Sequence, residues 1–376
     1  MLTQAERTRD FPGLAHMTYL NTAAEGLPPR AVGKALSQYT RDKDLGMDGR
    51  LPHQEQWQLL RERTAPFYGL TADEIGICSC SSEAYNLAML ALSLKPGDEV
   101  VINDLDFPAG ATPWLQPSCA ADAKVWRNRD GALRIEDLVA LLTPATRIVT
   151  VSLVSFFNGF KIPLKAVSEA VRHHSSALLA IDVTQALGRI PLDLQDVDLI
   201  VSSTHKWILS AHGGGLVGVP SRQAETITAA AGGWFNIENA FDNDRFDHTV
   251  TKPGALSFSV GMPNYAAVYA AAAALDYIDR LGIDAIHAHA QPLVEQCLTG
   301  LKELRVNLLT PDEPDALAGI LAFLHPKAEA IHAYLHERDI HIMHHAGRLR
   351  IAIHFYNTKE DIEGLIATLK DALAAV

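Results

Sequence analysis

Between Asp198 and Leu216 the chain reads Asp-Leu-Ile-Val-Ser-Ser-Thr-His-Lys-Trp-Ile-Leu-Ser-Ala-His-Gly-Gly-Gly-Leu, the densest run of reactive side chains in the sequence. The apolar residues Leu199, Ile200 and Val201 predict a buried strand that delivers hydroxyls, an imidazole and the amine of Lys206 to its C-terminal end. An ammonium at such an edge loses hydration unless it is paired or chemically used. Upstream, the apolar run from Leu178 ends on Asp182, with Gln185 three residues later. If the two strands are neighbours, carboxylate and amine meet where open α/β sheets keep their ligands. A structural Asp–Lys ion pair is the plain alternative, but it leaves the hydroxyls and imidazole before Lys206 without a purpose.

A third part lies earlier. Ile75-Gly-Ile-Cys-Ser-Cys reads as a strand and Ser81 to Leu92 as an amphipathic helix, so Ser81 and Ser82 sit at a helix N-terminus. Free amides and hydroxyls there make a phosphate cradle, although a serine cap with no ligand has the same pattern. An amine, a carboxylate and a phosphate site are together what pyridoxal 5′-phosphate requires.

The elements that must position these groups alternate. Strand patterns at Glu99–Asn103, Ala123–Trp126, Thr146–Val154, Leu178–Val183, the Leu199 run and Leu216–Val219 are separated in part by helical patterns at Ile135–Leu142 and Leu164–His173. That is the rhythm of a large, mostly parallel α/β sheet. After Tyr265 an Ala-rich helix, a second helix through Leu301 and short strands near Gly319–Leu324 and Leu349–Ile353 predict a smaller α+β C-terminal domain. The expected division is an N-terminal segment at 1–20, a large domain at 21–258 and a small domain at 259–376.

The chain has 376 residues and a net charge of −12 with no basic block, which argues against nucleic acid and anionic membrane as partners. The longest apolar segment, Ala266–Leu275, is too short for a bilayer and the N-terminus lacks a signal-peptide core, so a cytoplasmic protein is expected. Four cysteines show no metal-like spacing.

The motifs Ser203-Thr-His-Lys-Trp and Asp182-Val-Thr-Gln, framed by Tyr19-Leu-Asn-Thr-Ala-Ala and Tyr356-Asn-Thr, resemble the class V aminotransferases. This fold-type I family of pyridoxal-phosphate enzymes also holds cysteine desulfurases, kynureninase-like lyases and an epimerase. The resemblance implies that Lys206 forms the Schiff base and moves the substrate α-proton. It assigns Asp182 to the ring nitrogen and Gln185 to the phenolic oxygen, and Ser81, Ser82, Ser203 and His205 to the phosphate. Phe107, in Asp106-Phe-Pro-Ala, would stack on the ring where desulfurases use histidine; a core aromatic is the equal alternative. Arg350 would clamp the substrate carboxylate, with Arg348 competing, and Asn21 would border the substrate or cap a turn. A homodimer with the active site near its interface and a small amino acid as substrate also follow from the resemblance.

The sequence departs from that pattern at three places. Phe156 replaces the asparagine expected in Ser155-Phe-Phe-Asn-Gly, leaving Asn158 to compensate as a cofactor ligand. Met262 replaces a threonine that reaches the partner subunit's phosphate. No cysteine follows Cys297, which disfavours sulfur transfer through a persulfide. The histidines 341, 344, 345 and 354 lack a metal-ligand set, and no metal is expected. Transamination is the leading reaction, with a Cβ–X lyase or an epimerase behind it; a non-catalytic nucleotide-binding α/β module is the rival of another class.

Overall fold

The computed structural model describes residues 2–375. Its strands, in chain order, are β1 (Thr18–Tyr19), β2 (Ile75–Cys78), β3 (Glu99–Asn103), β4 (Asp122–Trp126), β5 (Thr146–Ser152), β6 (Leu178–Asp182) and β7 (Leu199–Ser203). They continue as β8 (Gly215–Gly218), β9 (Asn307–Leu308), β10 (Ile320–Leu324), β11 (Ile340–His341), β12 (Met343–His345) and β13 (Arg348–Ala352). Seven strands make the large sheet in the order β2-β8-β7-β6-β5-β3-β4, and only β8 runs antiparallel to its neighbours. The mostly parallel sheet expected from the alternating pattern is therefore present. Every residue of β6 and β7 is buried, which is why both read as unbroken apolar runs up to their polar ends. The two strands are adjacent, with Asp182 opposite Val201, so the carboxylate and the lysine loop leave the sheet side by side.

The strand expected at 75–80 stops at Cys78, because Cys80 leaves the sheet to become the N-cap of the helix Ser81–Leu92. Gly76 belongs to the sheet for a steric reason: a Cβ there would lie 2.1 Å from the Ala255 carbonyl oxygen.

The second sheet is antiparallel, in the order β12-β13-β10-β9, and its core holds Leu321, Phe323, Leu349, Ile351, Val294 and Leu365. Burying each such side chain contributes roughly 1.5–3 kcal/mol. β12 and β13 are joined by a two-residue turn in which Ala346 and Gly347 both take positive φ, 51° and 72°. Part of the N-terminal segment packs on this region: β1 pairs with β11, Leu20 enters its core, and Arg7 bonds the Tyr356 carbonyl and pairs with Asp361 at 3.1 Å, whereas Phe11 and Leu14 join the large core. The helix Tyr265–Leu281 lies past the expected boundary at 258/259, yet packs on the helices Arg30–Lys43 and Arg50–Tyr68, and its Val268, Ala271 and Leu275 join the large core. Its run of alanines permits that close approach.

Candidate active site

Lys206 follows β7 in a loop fastened from below. The Thr204 hydroxyl donates to the carbonyl of Ala211 at 2.8 Å, and buried Trp207 donates its indole N–H to Gln185 Oε1 at 2.6 Å. His354, fully buried, bonds the Trp207 carbonyl oxygen through Nε2 at 2.8 Å. Leu209 is held at φ +60°, a left-handed conformation costing roughly 1–3 kcal/mol for such a side chain, and its amide closes the turn on the Lys206 carbonyl at 2.9 Å. Gly26 packs so tightly against this loop that a Cβ would sit 2.0 Å from the Lys206 carbonyl oxygen, and its amide donates to His205 at 2.8 Å.

One pocket gathers Lys206, Asp182, Gln185, Ser203, His205, Ser81, Ser82 and Phe107, together with Cys80, Ser152, Phe156 and Thr184. Thr184 ties the polar floor together: its amide donates to Asp182 Oδ1 at 2.7 Å and its hydroxyl accepts from the Ser203 amide at 3.0 Å. The Ser203 hydroxyl then meets that of Ser81 at 3.0 Å. No side chain caps the helix Ser81–Leu92, so its first-turn amides are free to donate at the same spot. Gln185 spends one amide N–H on the Ala23 carbonyl at 3.1 Å and keeps another. Phe107 is 43% exposed, its ring 4.9 Å from Lys206 Nζ, which is not the environment of a core aromatic.

The charges here are set by burial. The Lys206 amine falls to about 8: burial dominates, Asp182 and Glu25 oppose it, and Arg350 adds to it. Burial pushes Asp182 upward against the Thr184 hydrogen bonds and Lys206. His205 drops to about 4 through burial, Lys206 and His212.

Asn158 does not join them. Its Nδ2 donates to the carbonyls of Gly131 and Leu309 at 2.7 and 3.2 Å, and its Oδ1 accepts from the Phe160 amide, so the amide is spent on loop structure. The expected compensation for Phe156 is absent, and the Phe156 ring itself lines the pocket, edge-on to Phe107 at 5.1 Å. Arg350 Nη1 donates to the Phe156 carbonyl at 2.8 Å, and Arg348 lies 4.1 Å over the Phe157 ring. Asn21 bridges Ala352 through its backbone, its carbonyl closes the turn to Ala24 and Glu25, and its Oδ1 is buried without a partner. Met262 is 51% exposed and borders a different cavity with Gly213 and Asn264.

The histidine group does not exist in space as it does in sequence. His354 sits under the lysine loop, whereas His341 and His344 contact His336 and His332 at 4.7 and 5.8 Å. A grouping the sequence hid is Glu25, His205 and His212, whose ligating atoms lie within 4.8 Å of one another. Thr184 and Trp207 were also missed as functional residues, although both stand inside the two motifs quoted above; Ser152 and Cys80 carried no signal beyond their strand ends.

The sequence profile described as Aminotransferase class-V matches residues 18–365. The chain belongs to the class V aminotransferase family. Among curated relatives of this class V enzyme, the uncharacterized aminotransferase YcbU of Bacillus subtilis is 26% identical over 95% of this chain and 94% of its own. A probable cysteine desulfurase of Methanothermobacter thermautotrophicus is 27% identical over 96% of each. In fold, the class V enzyme matches apo cysteine desulfurase from Thermococcus onnurineus NA1 with a TM-score of 0.89 at 22% identity, covering 100% of this chain and 99% of that one. The cystine C–S lyase C-DES matches with a TM-score of 0.86 at 22% identity, covering 96% and 99%. The cofactor of the class V enzyme is pyridoxal 5′-phosphate. Its pocket fits that group in the amine lowered toward neutrality, the carboxylate beside it and the uncapped helix end with two hydroxyls. Among the described residues no helix is long and apolar enough to cross a membrane.

Proposed function

We propose that this class V enzyme transaminates an amino acid, with Lys206 as the sole proton-transfer group. The observation that carries the reading is that Lys206 Nζ faces the carbon ring of Phe107 at 4.9 Å, with the Phe156 ring packed edge-on behind it. Bound cofactor supplies the electron sink that makes the substrate α-proton acidic. Lys206 Nζ, lowered to about 8, would take that proton as a neutral amine and release it on the same side of the pocket to the cofactor, not back to the α-carbon. Epimerisation needs a second proton donor across the pocket, and phenylalanine has none.

The supporting roles follow from position. Asp182 holds a proton donor at its carboxylate, fixed by the Thr184 amide. Gln185 directs its spare N–H into the pocket wall, clamped by Trp207 and Ala23. Ser81, Ser82, Ser203 and His205 take the phosphate, and Arg350 takes the substrate α-carboxylate. Asn21 borders the substrate through its unpartnered Oδ1.

Cβ–X elimination is the second reading, because it uses the same lysine and because relatives carry desulfurase and C–S lyase names. Against a persulfide relay stands the β12–β13 turn of Ala346 and Gly347, which has no loop to carry a cysteine. We also propose a homodimer, from the exposed Trp234, Phe241, Phe246 and Met262; a monomeric mass by light scattering would overturn it. A cytoplasmic location remains part of the proposal.

A half-reaction screen of amino acids against the holoenzyme tests the reaction. Keto acid formed together with the amine form of the cofactor supports transamination. Keto acid with the cofactor's aldehyde form unchanged establishes elimination instead.

A further inference from the structure

Arg348 and Arg350 point from the same face of β13, two residues apart, and both are 2% exposed. Neither forms an ion pair among the described residues, and the Nε of each is buried with no hydrogen-bond partner. A buried guanidinium without a carboxylate is costly, and burial holds Arg350 down to about 10 with Arg348 adding to the effect. Arg348 is itself lowered by burial. One such cation is accounted for by a substrate α-carboxylate; two are not.

Both arginines lie against one loop, whose Phe156 lines the pocket. Arg350 bonds the Phe156 carbonyl, while Arg348 lies 5.7 Å from the Phe156 ring and 4.1 Å from that of Phe157. Residues two apart on a strand are separated by roughly 6.5–7 Å, which suits the two ends of a short diacid. A neutral side chain placed in this wall would leave the second guanidinium without a counter-charge.

Resting on the amino-acid reading above, we propose that Arg348 forms a second carboxylate subsite and that the substrate is an amino acid bearing a distal carboxylate. Arg350 holds the α-carboxylate and Arg348 the distal one. The aromatic faces of Phe156 and Phe157 keep the Arg348 fork in place while leaving its edge for the anion.

The test titrates the holoenzyme with unreactive acids, glutarate and succinate against butyrate and propionate, followed by the cofactor's visible absorption and by calorimetry. It adds the half-reaction with glutamate against glutamine. The diacids are expected to bind roughly tenfold or more tighter than the monoacids. Arg348→Leu is expected to bring diacid affinity down to the monoacid level, and Arg348→Lys to restore part of the gap. Equal affinity for diacid and monoacid in the native enzyme overturns the subsite, whatever the variants do. So does an Arg348→Leu enzyme that loses monoacid binding in the same proportion, since that marks a structural arginine. If glutamine and other neutral amino acids react as fast as glutamate, the subsite fails while the amino-acid reading stands. If no amino acid reacts on a cofactor bound at Lys206, the reading and the subsite fall together.

Discussion

The two walls of the pocket are finished to different degrees. The wall built by β6, β7 and the Ser81–Leu92 helix is tied by its own hydrogen bonds, from Asp182 through Thr184 and Ser203 to Ser81, with Gln185 locked on Trp207. The wall at Phe156 is backed by β13, whose two guanidinium groups are answered by no carboxylate among the described residues. A site that satisfies itself is pre-organised for a resident group, and one that leaves buried charge unanswered is completed by what passes through. On the reading proposed above, the first is the cofactor side and the second the substrate side.

Perturbing each wall should therefore have distinct effects. The largest is expected for Lys206→Ala, which should abolish turnover and remove the borohydride-trapped cofactor mass from the peptide containing residue 206. Retained full activity would sink the mechanism. On the β13 side, Arg350→Leu should cost roughly 3–4 kcal/mol, about two to three powers of ten in kcat/KM, and act mainly on KM. On the sheet side, Asp182→Asn keeps the Thr184 hydrogen bond but removes the charge. It should lower kcat by about two powers of ten with little change in KM, which stopped-flow kinetics would resolve. If both variants moved the same parameter, the division of labour between the walls would be wrong.

A smaller effect concerns stability. Lys206 without cofactor falls from 10.5 to about 8 in the folded chain, so between those values the unfolded chain binds more protons. Stability of the cofactor-free protein should then rise with pH across that window, by about 3 kcal/mol at most because the amine is only partly buried. Urea midpoints measured on either side of pH 8 would show the slope, and Lys206→Met should flatten it. The smallest effect is expected for Thr184→Val, about 1 kcal/mol, read as weaker cofactor retention with the substrate wall untouched.

The sheet side was legible in the sequence because its chemistry sits in short motifs at strand ends. Asp182 and Gln185 belong to one turn and Ser203, His205 and Lys206 to another, and apolar runs announce both strands. Thr184 was overlooked there, since a threonine in a turn carries no mark of the hydrogen bond it accepts from the next strand at Ser203. The β13 side was harder. That Arg348 and Arg350 share a face follows from strand alternation, but their lack of an ion pair among the described residues depends on residues far away in the sequence. Asn158 shows the opposite error: a polar residue near the right place in sequence is consumed by Gly131, Leu309 and Phe160 once the loop folds. The packing of the helix at 265–281 was hidden for a similar reason, as its partners lie near the start of the chain.

The two-residue turn between β12 and β13 also limits how the reaction can end. A chain that reverses direction over Ala346 and Gly347 has no slack, so this turn cannot swing out to carry a fragment of substrate to another protein. Cys80, at the N-cap of a packed helix, is likewise fixed in place.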